Sequence, residues 1–211
     1  MCVRYSQIHE AGELAERFGV KPPSSRLRPS YNISAGREAA VVAGGVLRVL
    51  KWGFVPCWAG SGIKEGLLSA RAEGIASRPA FRAAFYKSRC LVPADGFYEW
   101  GHTAGERIPY RFEFRDGRVF AMAGLYDAET GTYAVVTCAA NALVRSVHHR
   151  MPVILDGRGE KLWLDMRRSD TEELLPALRA CDSSLMRGYK VSSLVDSPDN
   201  DSPDCLRPLE P

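Results

Sequence analysis

The sequence predicts an α+β fold in which a largely antiparallel, barrel-like β-sheet is flanked by short helices. Short segments of alternating or continuous apolar residues dominate the chain, and such segments are typical of strands. The pairs Gly44-Gly45, Asp95-Gly96 and Asp116-Gly117 separate these segments in the way that tight turns do. The candidate helices fall between and after the strands, and this arrangement favours α+β over an alternating α/β sheet.

The composition fits one globular domain over residues 1–211. Hydrophobic residues make up 45% and charged residues 25% of the chain, and the net charge of +3 permits an anionic partner. No apolar run is long enough to span a membrane, and the first residues lack the apolar core of a signal peptide, so we expect a cytoplasmic protein. The 6 cysteines form no CxxC pair. This spacing argues against zinc ribbons and thioredoxin-type redox motifs. We expect no metal site, no cofactor and a monomer.

The N-terminal half predicts two helices and one hairpin, separated by irregular segments. The predicted elements are a helix over 8–18, a proline-rich loop over 19–36, strands over 39–43 and 46–56 joined at Gly44-Gly45, an irregular segment over 57–70, and a helix over 77–87. Ser77 is the expected N-cap of the second helix, because Pro79 then falls in its first turn.

The C-terminal half predicts more strands than helices. The predicted elements are a strand over 90–100 that bends at Asp95-Gly96, a hairpin over 107–127 with its turn at Asp116-Gly117, strands over 132–140 and 151–156 with a short helix between them, helices over 158–168 and 171–181, a strand over 189–193, and a polar tail over 197–211.

Cys2, directly after Met1, is the first candidate for chemistry. A small residue at position 2 normally allows removal of Met1, which leaves a cysteine with a free α-amine beside its thiol. Both groups titrate near neutral pH, at about 7.7–8.0 and about 8.5. Such an aminothiol attacks an aldehyde through nitrogen and closes a thiazolidine ring through sulfur. The alternative is an ordinary residue at a frayed terminus.

Three further segments place reactive side chains among turn residues. Glu99, between two aromatic residues, is either a desolvated acid/base group or a solvent-facing charge. One of His148 and His149 could shuttle protons near pH 7, or be a structural residue. Arg71 beside Glu73 either binds an anionic group or forms an ion pair. Ser69 offers a hydroxyl to a substrate or to the turn.

Basic residues are concentrated in the first part of the chain, where aromatic residues are interspersed with them. They are Arg4, Arg26, Arg28, Arg37, Arg48, Lys51, Arg71, Arg78 and Arg82, near Tyr31, Trp52 and Trp58. Guanidinium groups bind phosphates and aromatic rings stack on bases, so this pattern suits a single strand of nucleic acid. A solvated basic surface is the alternative interpretation.

These segments together resemble the SOS response-associated peptidase (SRAP) family of abasic-site processing proteins. The resemblance covers nearly the full chain in the family's order, and RCLVPADGFYEW is its most specific part. The matching stretches are MCVRYSQ (1–7), RPSYNISAG (28–36), WGFVPCWA (52–59), SARAEG (69–74), RCLVPADGFYEW (89–100), AGLYD (123–127), TCAAN (137–141) and HHRMPVIL (148–155).

The resemblance implies the SRAP fold and a covalent DNA–protein crosslinking, lyase-type activity on abasic sites in single-stranded DNA. Cys2 would capture the aldehyde of the open deoxyribose as a thiazolidine, and Glu99 and His148 would take the family's proton-transfer roles. The family usually has asparagine in the active site where Ser69 stands. The residues that the resemblance places against DNA are Arg4, Asn32, Trp58, Arg71 and Arg78.

Two other functions remain open from the sequence. A thiol peptidase could use Cys2 with His148, because a cysteine–histidine pair is established nucleophilic chemistry. Such an enzyme needs the thiol and not the free α-amine. A non-covalent single-stranded DNA-binding module would need neither, and its affinity would fall steeply with salt without a preference for abasic strands.

Overall fold

The computed structural model describes residues 3–23, 27–62, 66–103 and 105–209. Its architecture is α+β with mostly antiparallel strands and few short helices, as the sequence predicts. The strands are β1 Arg4–Gln7, β2 Ser30–Ser34, β3 Glu38–Ala43, β4 Val46–Trp52, β5 Ser69–Arg71, β6 Arg89–Ala94, β7 Gly96–Thr103, β8 Glu106–Phe114, β9 Phe120–Asp127, β10 Thr132–Ala139, β11 Arg150–Pro152, β12 Ile154–Leu155 and β13 Met186–Lys190. The α-helices are α1 Ala11–Phe18, α2 Pro79–Lys87, α3 Ala142–Arg145, α4 Gly157–Leu164 and α5 Thr171–Leu174.

Five strands close a barrel. Their pairing runs β10–β4–β3–β6–β9 and returns to β10, so the ring is complete. Strands β5 and β11 extend the sheet along β10, and β12 extends it along β9. Among the described strands, only the pairings of β10 with β4 and β5 are parallel. The barrel strands and the helices packed against them share a continuous apolar core that includes Trp52, Phe85, Tyr133 and Trp163.

A second sheet packs beside the barrel in the order β13–β8–β7–β1–β2. The chain passes from the barrel into this sheet at the bend between β6 and β7, as the Asp95-Gly96 pair predicts. The predicted hairpin over 107–127 is wrong, because β8 and β9 lie in different sheets. Phe114 pairs with Met186 of β13, and Phe120 pairs with Ala94 of β6. Strands β8 and β9 pair with strands of two different sheets and not with each other, so the Asp116-Gly117 turn connects the two sheets.

Local turn and capping rules explain most of the remaining elements. Gly44 and Gly45 have φ values of 61° and 76°, which is the left-handed backbone that a two-residue hairpin loop requires. Helix α1 begins three residues later than predicted, where Glu10 and Glu13 form a capping box. Helix α2 begins at Pro79 with Arg78 at the N-cap, so the expected cap at Ser77 is wrong.

Some other predicted boundaries also differ. Helix α5 is much shorter than 171–181, because Pro176 stands in a 3-10 turn directly after it. The segment 57–70 contains a 3-10 helix, Cys57–Gly62, and the start of β5. The final strand, β13, ends at Lys190, before most of the predicted range 189–193. Within the described residues, no helix combines the length and the apolar character needed to cross a membrane.

The segments predicted as a loop over 19–36 and a tail over 197–211 hold each other in place. Strand β2 forms inside the loop, and the Tyr31 and Asn32 N–H groups donate to Asp201 Oδ1 at 2.6 and 3.1 Å. The Asn32 side chain in turn donates to the carbonyls of Ser197 and Asn200 at 3.0 and 2.8 Å. The sequence pattern missed these contacts because they join residues far apart in the chain.

We expect Asp201→Ala to lower the free energy of unfolding by about 1–3 kcal/mol, since it leaves backbone donors of β2 without their acceptor. Urea unfolding measures this loss. Asp199→Ala is the matched control, because Asp199 is exposed and no contact of its side chain with a described residue is seen. Equal stability of the two variants would show that Asp201 does not anchor the C-terminal segment.

Candidate active site

Glu99 lies in the middle of β7, opposite Tyr110 of β8. Its strand neighbours Tyr98 and Trp100 pack into a small apolar cluster with the C-terminal segment, so the side chain of Glu99 points to the other face of the sheet. The side chain is only 2% exposed. Burial raises the pKa of Glu99 from its ordinary value to about 7. The carboxyl group is therefore half protonated near neutral pH.

His148 lies directly beside Glu99. Its Nδ1 atom is 3.6 Å from Glu99 Oε2, which is longer than a hydrogen bond, and its side chain is 20% exposed. Burial lowers the pKa of His148. Burial thus shifts both groups towards their neutral forms, and near pH 7 the carboxyl group is present both as the acid and as the carboxylate. His149, the alternative candidate, is exposed, and its ring lies 4.4 Å from that of His148 between centroids, at an interplanar angle of 36°.

The backbone of Arg150 serves both protonation states of His148. The Arg150 N–H lies 3.1 Å from Nδ1 and donates to it when the ring is neutral, which places the ring hydrogen on Nε2. The Arg150 carbonyl lies 3.2 Å from the same Nδ1 and accepts a hydrogen bond from it when the ring is protonated. The ring can therefore gain and lose a proton without leaving its position.

Arg150 itself is a site residue that the sequence analysis missed. Its guanidinium is held by both carboxylate oxygens of Glu73 and by the Thr137 carbonyl, the last at 2.6 Å. Glu73 therefore pairs with Arg150 and not with Arg71, which answers the question that the sequence left open. The Arg150 hydrogen bonds are the main cause of the lowered pKa of Glu73. The sequence feature that indicates Arg150 as a site residue is its position in the HHRMP segment, directly after the two histidines.

Strand β10 brings the SARAEG and HHRMP segments together. Thr137 pairs with Arg71 of β5 on one side and with Pro152 of β11 on the other. Arg71 is exposed and makes no ion pair within the part of the chain that the structure describes. Ser69 is half-buried, two residues earlier on the same short strand. Arg71 is thus an exposed residue on a strand that pairs with β10, which also pairs with β11, the strand that follows His148 and His149.

Arg4 opens β1 and pairs with Tyr98, one position before Glu99 on β7. Its guanidinium donates to Asn32 Oδ1 at 3.4 Å and to the Asp196 carbonyl at 3.0 Å. Asn32, expected to meet DNA, is 1% exposed and holds the C-terminal segment, so the structure presents it to that segment and not to solvent. Cys2 lies outside the described residues.

Two other residues that the sequence assigned to DNA contact lie further along the surface. Trp58 is 61% exposed. The neighbouring Cys57 N–H donates to Asp127, which lies near the start of β10, whereas Arg71 lies near the end of β10. Arg78 is exposed at the start of α2, and its side chain packs against Gly74 in the turn that follows Arg71. Among the described residues, no group of three or more His, Cys, Asp or Glu is arranged to hold a metal ion.

We expect Glu99→Gln to stabilise the fold at pH 8 by up to roughly 3 kcal/mol and to change stability little at pH 5. Because the folded pKa of about 7 exceeds the ordinary 4.5, the folded state binds more protons, and wild-type stability falls as pH rises between these values. Glutamine removes that dependence. Thermal unfolding at both pH values measures it, with Glu106→Gln, an exposed carboxylate of β8, as control. A stabilisation independent of pH would contradict the assignment.

Comparison with known proteins places the chain in a family. The family model described as SOS response associated peptidase (SRAP) matches residues 1–198. The abasic site processing protein YoqW of Bacillus subtilis is 34% identical, with 98% of this chain and 99% of that protein covered. The abasic site processing protein HMCES of Gallus gallus is 30% identical, with 88% and 68% covered.

The fold agrees with these sequence relatives. A crystal structure of a protein from Bacteroides thetaiotaomicron matches with a TM-score of 0.88 and 29% identity, and the match covers 99% of this chain and 100% of that chain. The resemblance drawn from the motifs is thereby confirmed along the whole chain. This protein belongs to the SRAP family.

Proposed function

We propose that this protein processes abasic sites in single-stranded DNA by forming a covalent thiazolidine crosslink through Cys2 after removal of Met1. The names of its relatives YoqW and HMCES support abasic-site processing. The observation that carries the chemistry is the buried carboxyl group of Glu99 beside the partly exposed ring of His148, one position along β7 from the partner of Arg4. A carboxyl group with a pKa of about 7 beside an imidazole is suited to proton transfer at neutral pH.

Chain connectivity supports the role of Cys2. In the antiparallel pairing of β1 with β7, Arg4 lies opposite Tyr98, the residue directly before Glu99. Two residues span at most about 7 Å of extended chain, so Cys2 is tethered within that distance of Arg4. An aminothiol at this chain end is therefore within reach of the carboxyl group that would manage its protons.

The reaction balances without a cofactor. The ring-opened deoxyribose of an abasic site presents an aldehyde. The Cys2 amine adds to the carbonyl carbon, water leaves to give an imine, and the thiol adds across the C=N bond to close the thiazolidine. One water is released, and both of its hydrogens come from the amine nitrogen. The thiol hydrogen moves to that nitrogen as the ring closes. The reverse sequence releases the intact aldehyde.

Glu99 and His148 divide the proton transfers in this proposal. Protonated Glu99 donates to the ring oxygen as the sugar opens and to the leaving hydroxyl of the carbinolamine. Neutral His148 accepts a proton as the ring opens and returns it when the crosslink reverses. The alternating contacts of its Nδ1 with the Arg150 N–H and carbonyl allow both steps.

The DNA strand would be held by exposed residues around this pair. Arg71 offers an exposed guanidinium on β5, Arg78 lies at the adjoining turn, and Trp58 offers an exposed ring for base stacking. Arg4 supplies a further guanidinium at the start of β1. The buried Asn32 supports this surface through the C-terminal segment. Ser69 has only a hydroxyl to offer to the lesion.

Intact-mass spectrometry of the purified protein, before and after incubation with an abasic oligonucleotide, tests the proposal. We expect a protein lacking Met1, and then a species heavier by the oligonucleotide minus one water. A strand with tetrahydrofuran in place of the abasic sugar has no aldehyde and should give no adduct. Retained Met1 in an active protein, or no adduct with the abasic strand, would overturn the proposal. Peptide cleavage by a protein with a blocked α-amine would favour the thiol peptidase instead.

A further inference from the structure

A buried polar cluster lies on the second sheet, outside the pair of Glu99 and His148. It joins Ser6 of β1, Asp95 at the bend between β6 and β7, and Arg111 of β8. Ser6 Oγ donates to Asp95 Oδ1 at 2.5 Å and accepts from Arg111 Nη1 at 2.9 Å, while Arg111 Nη2 donates to Asp95 Oδ1 at 3.0 Å. The three residues are at most 3% exposed.

Hydrogen bonds hold β1 at Gln7 and at the residues on both sides of it. Asp95 Oδ2 accepts from the Ile8 N–H at 2.6 Å. The Gln7 amide donates to the carbonyls of Ala40 and Pro93 at 3.1 and 2.8 Å, and its oxygen accepts from the Ala40 N–H at 2.9 Å. Residues 6 to 8 are therefore fixed to the second sheet and to the barrel at the same time.

Gly96 is part of the same arrangement. A Cβ atom at this position would lie 1.8 Å from Arg111 Nη1, so only glycine leaves room for the guanidinium. The Nε atom of the Arg111 guanidinium lies 3.1 Å from Tyr189 Oη and 3.1 Å from Glu113 Oε2. The guanidinium is thus held from both sides, and a fully satisfied buried network of this kind is rigid.

We infer that Ser6, Asp95 and Arg111 form a positioning device that sets β1 against β7 and so delivers the chain end at residue 2 to Glu99. This inference rests on the proposed function. Ser6 pairs with Gly96, three positions before Glu99 on β7, and stands four residues after Cys2. A displacement of about 1 Å between reacting groups can cost on the order of 100-fold in rate.

The device acts on the rate of the covalent step and not on DNA affinity. None of its three side chains reaches the surface, so none can touch a phosphate or a base. Ser6 of the MCVRYSQ motif and Asp95 of the RCLVPADGFYEW motif are partners in one contact. The polar residues of these two motifs connect the chain end to the strand that carries the acid.

Ser6→Ala tests the inference with little risk to the fold, because Asp95 and Arg111 still contact each other directly. We expect the first-order crosslinking rate at saturating abasic DNA to fall about 10–100-fold. The Kd for the tetrahydrofuran strand should stay within about twofold of wild type. Asp156→Ala, which removes the N-cap of α4, is the control for a general loss of stability and should leave the rate unchanged.

A double-mutant cycle with Glu99→Gln separates positioning from general damage, because coupled residues are not additive. If Ser6 acts by bringing the chain end to Glu99, Ser6→Ala should slow the Glu99→Gln protein by less than about threefold. Equal rates for wild type and Ser6→Ala, a weakened Kd, or additive losses would overturn the inference while wild-type crosslinking stands. No adduct with the wild type would overturn the proposed function and this inference with it.

Discussion

Cys2→Ala is expected to abolish the stable adduct with an abasic strand. The variant keeps its α-amine, so it can still form an imine, but without the thiol the imine cannot close to a thiazolidine and hydrolyses. Adding cyanoborohydride should therefore recover an adduct with Cys2→Ala, as the reduced amine. Denaturing gel electrophoresis with a labelled oligonucleotide measures both outcomes. A stable adduct without reductant would exclude sulfur from the linkage.

A protein with one glycine inserted between Met1 and Cys2 tests the amine separately. The thiol remains, but its nitrogen is now part of an amide, so we expect no thiazolidine. Cys57→Ala is the matched control, because Cys57 is an exposed cysteine that the proposed reaction does not need. Crosslinking by the extended protein at the wild-type rate would refute the aminothiol mechanism. Loss of the adduct in Cys57→Ala would show that the reactive thiol is that of Cys57 and not that of Cys2.

The elements that the sequence predicts well are those determined by neighbouring residues. The Gly44-Gly45 hairpin follows from two residues that accept positive φ, and the Asp95-Gly96 bend lies where the sequence places it. The hairpin over 107–127 failed for the opposite reason. The turn at Asp116-Gly117 is local, but the partners of β8 and β9 are strands far away in the chain, and only the closed barrel decides between them.

The candidate site shows the same division. Glu99 and His148 could be singled out because each stands among unusual neighbours in the sequence, although they are 49 positions apart. The partner of Glu73 could not be predicted from the sequence. Arg150 and Arg71 have the same side chain and charge, Arg71 is near Glu73 in the sequence, and only the strand pairings of β10 bring Arg150 to Glu73. Asn32 looked like a loop residue for the same reason, since its partners lie in the C-terminal segment.

Glu99→Gln is expected to slow crosslinking by on the order of 100-fold, the usual range for loss of a general acid–base group. Glutamine keeps the size of the side chain and cannot donate a carboxyl proton. Single-turnover rates at saturating abasic DNA measure the loss, and binding to the tetrahydrofuran strand should be unchanged. Glu106→Gln, which alters an exposed carboxylate on the neighbouring strand, should match the wild type.

The pH dependence identifies which form of Glu99 acts. The wild-type rate should rise as the Cys2 amine loses its proton, at about 7.7–8.0, and fall as Glu99 loses its own, near 7. The product is a bell-shaped profile with a maximum close to neutrality. Glu99→Gln should lose the alkaline decline and reach a plateau above pH 8. A profile that kept the decline would assign it to another group. Since the same substitution is expected to stabilise the fold at that pH, unfolding cannot explain the slower reaction.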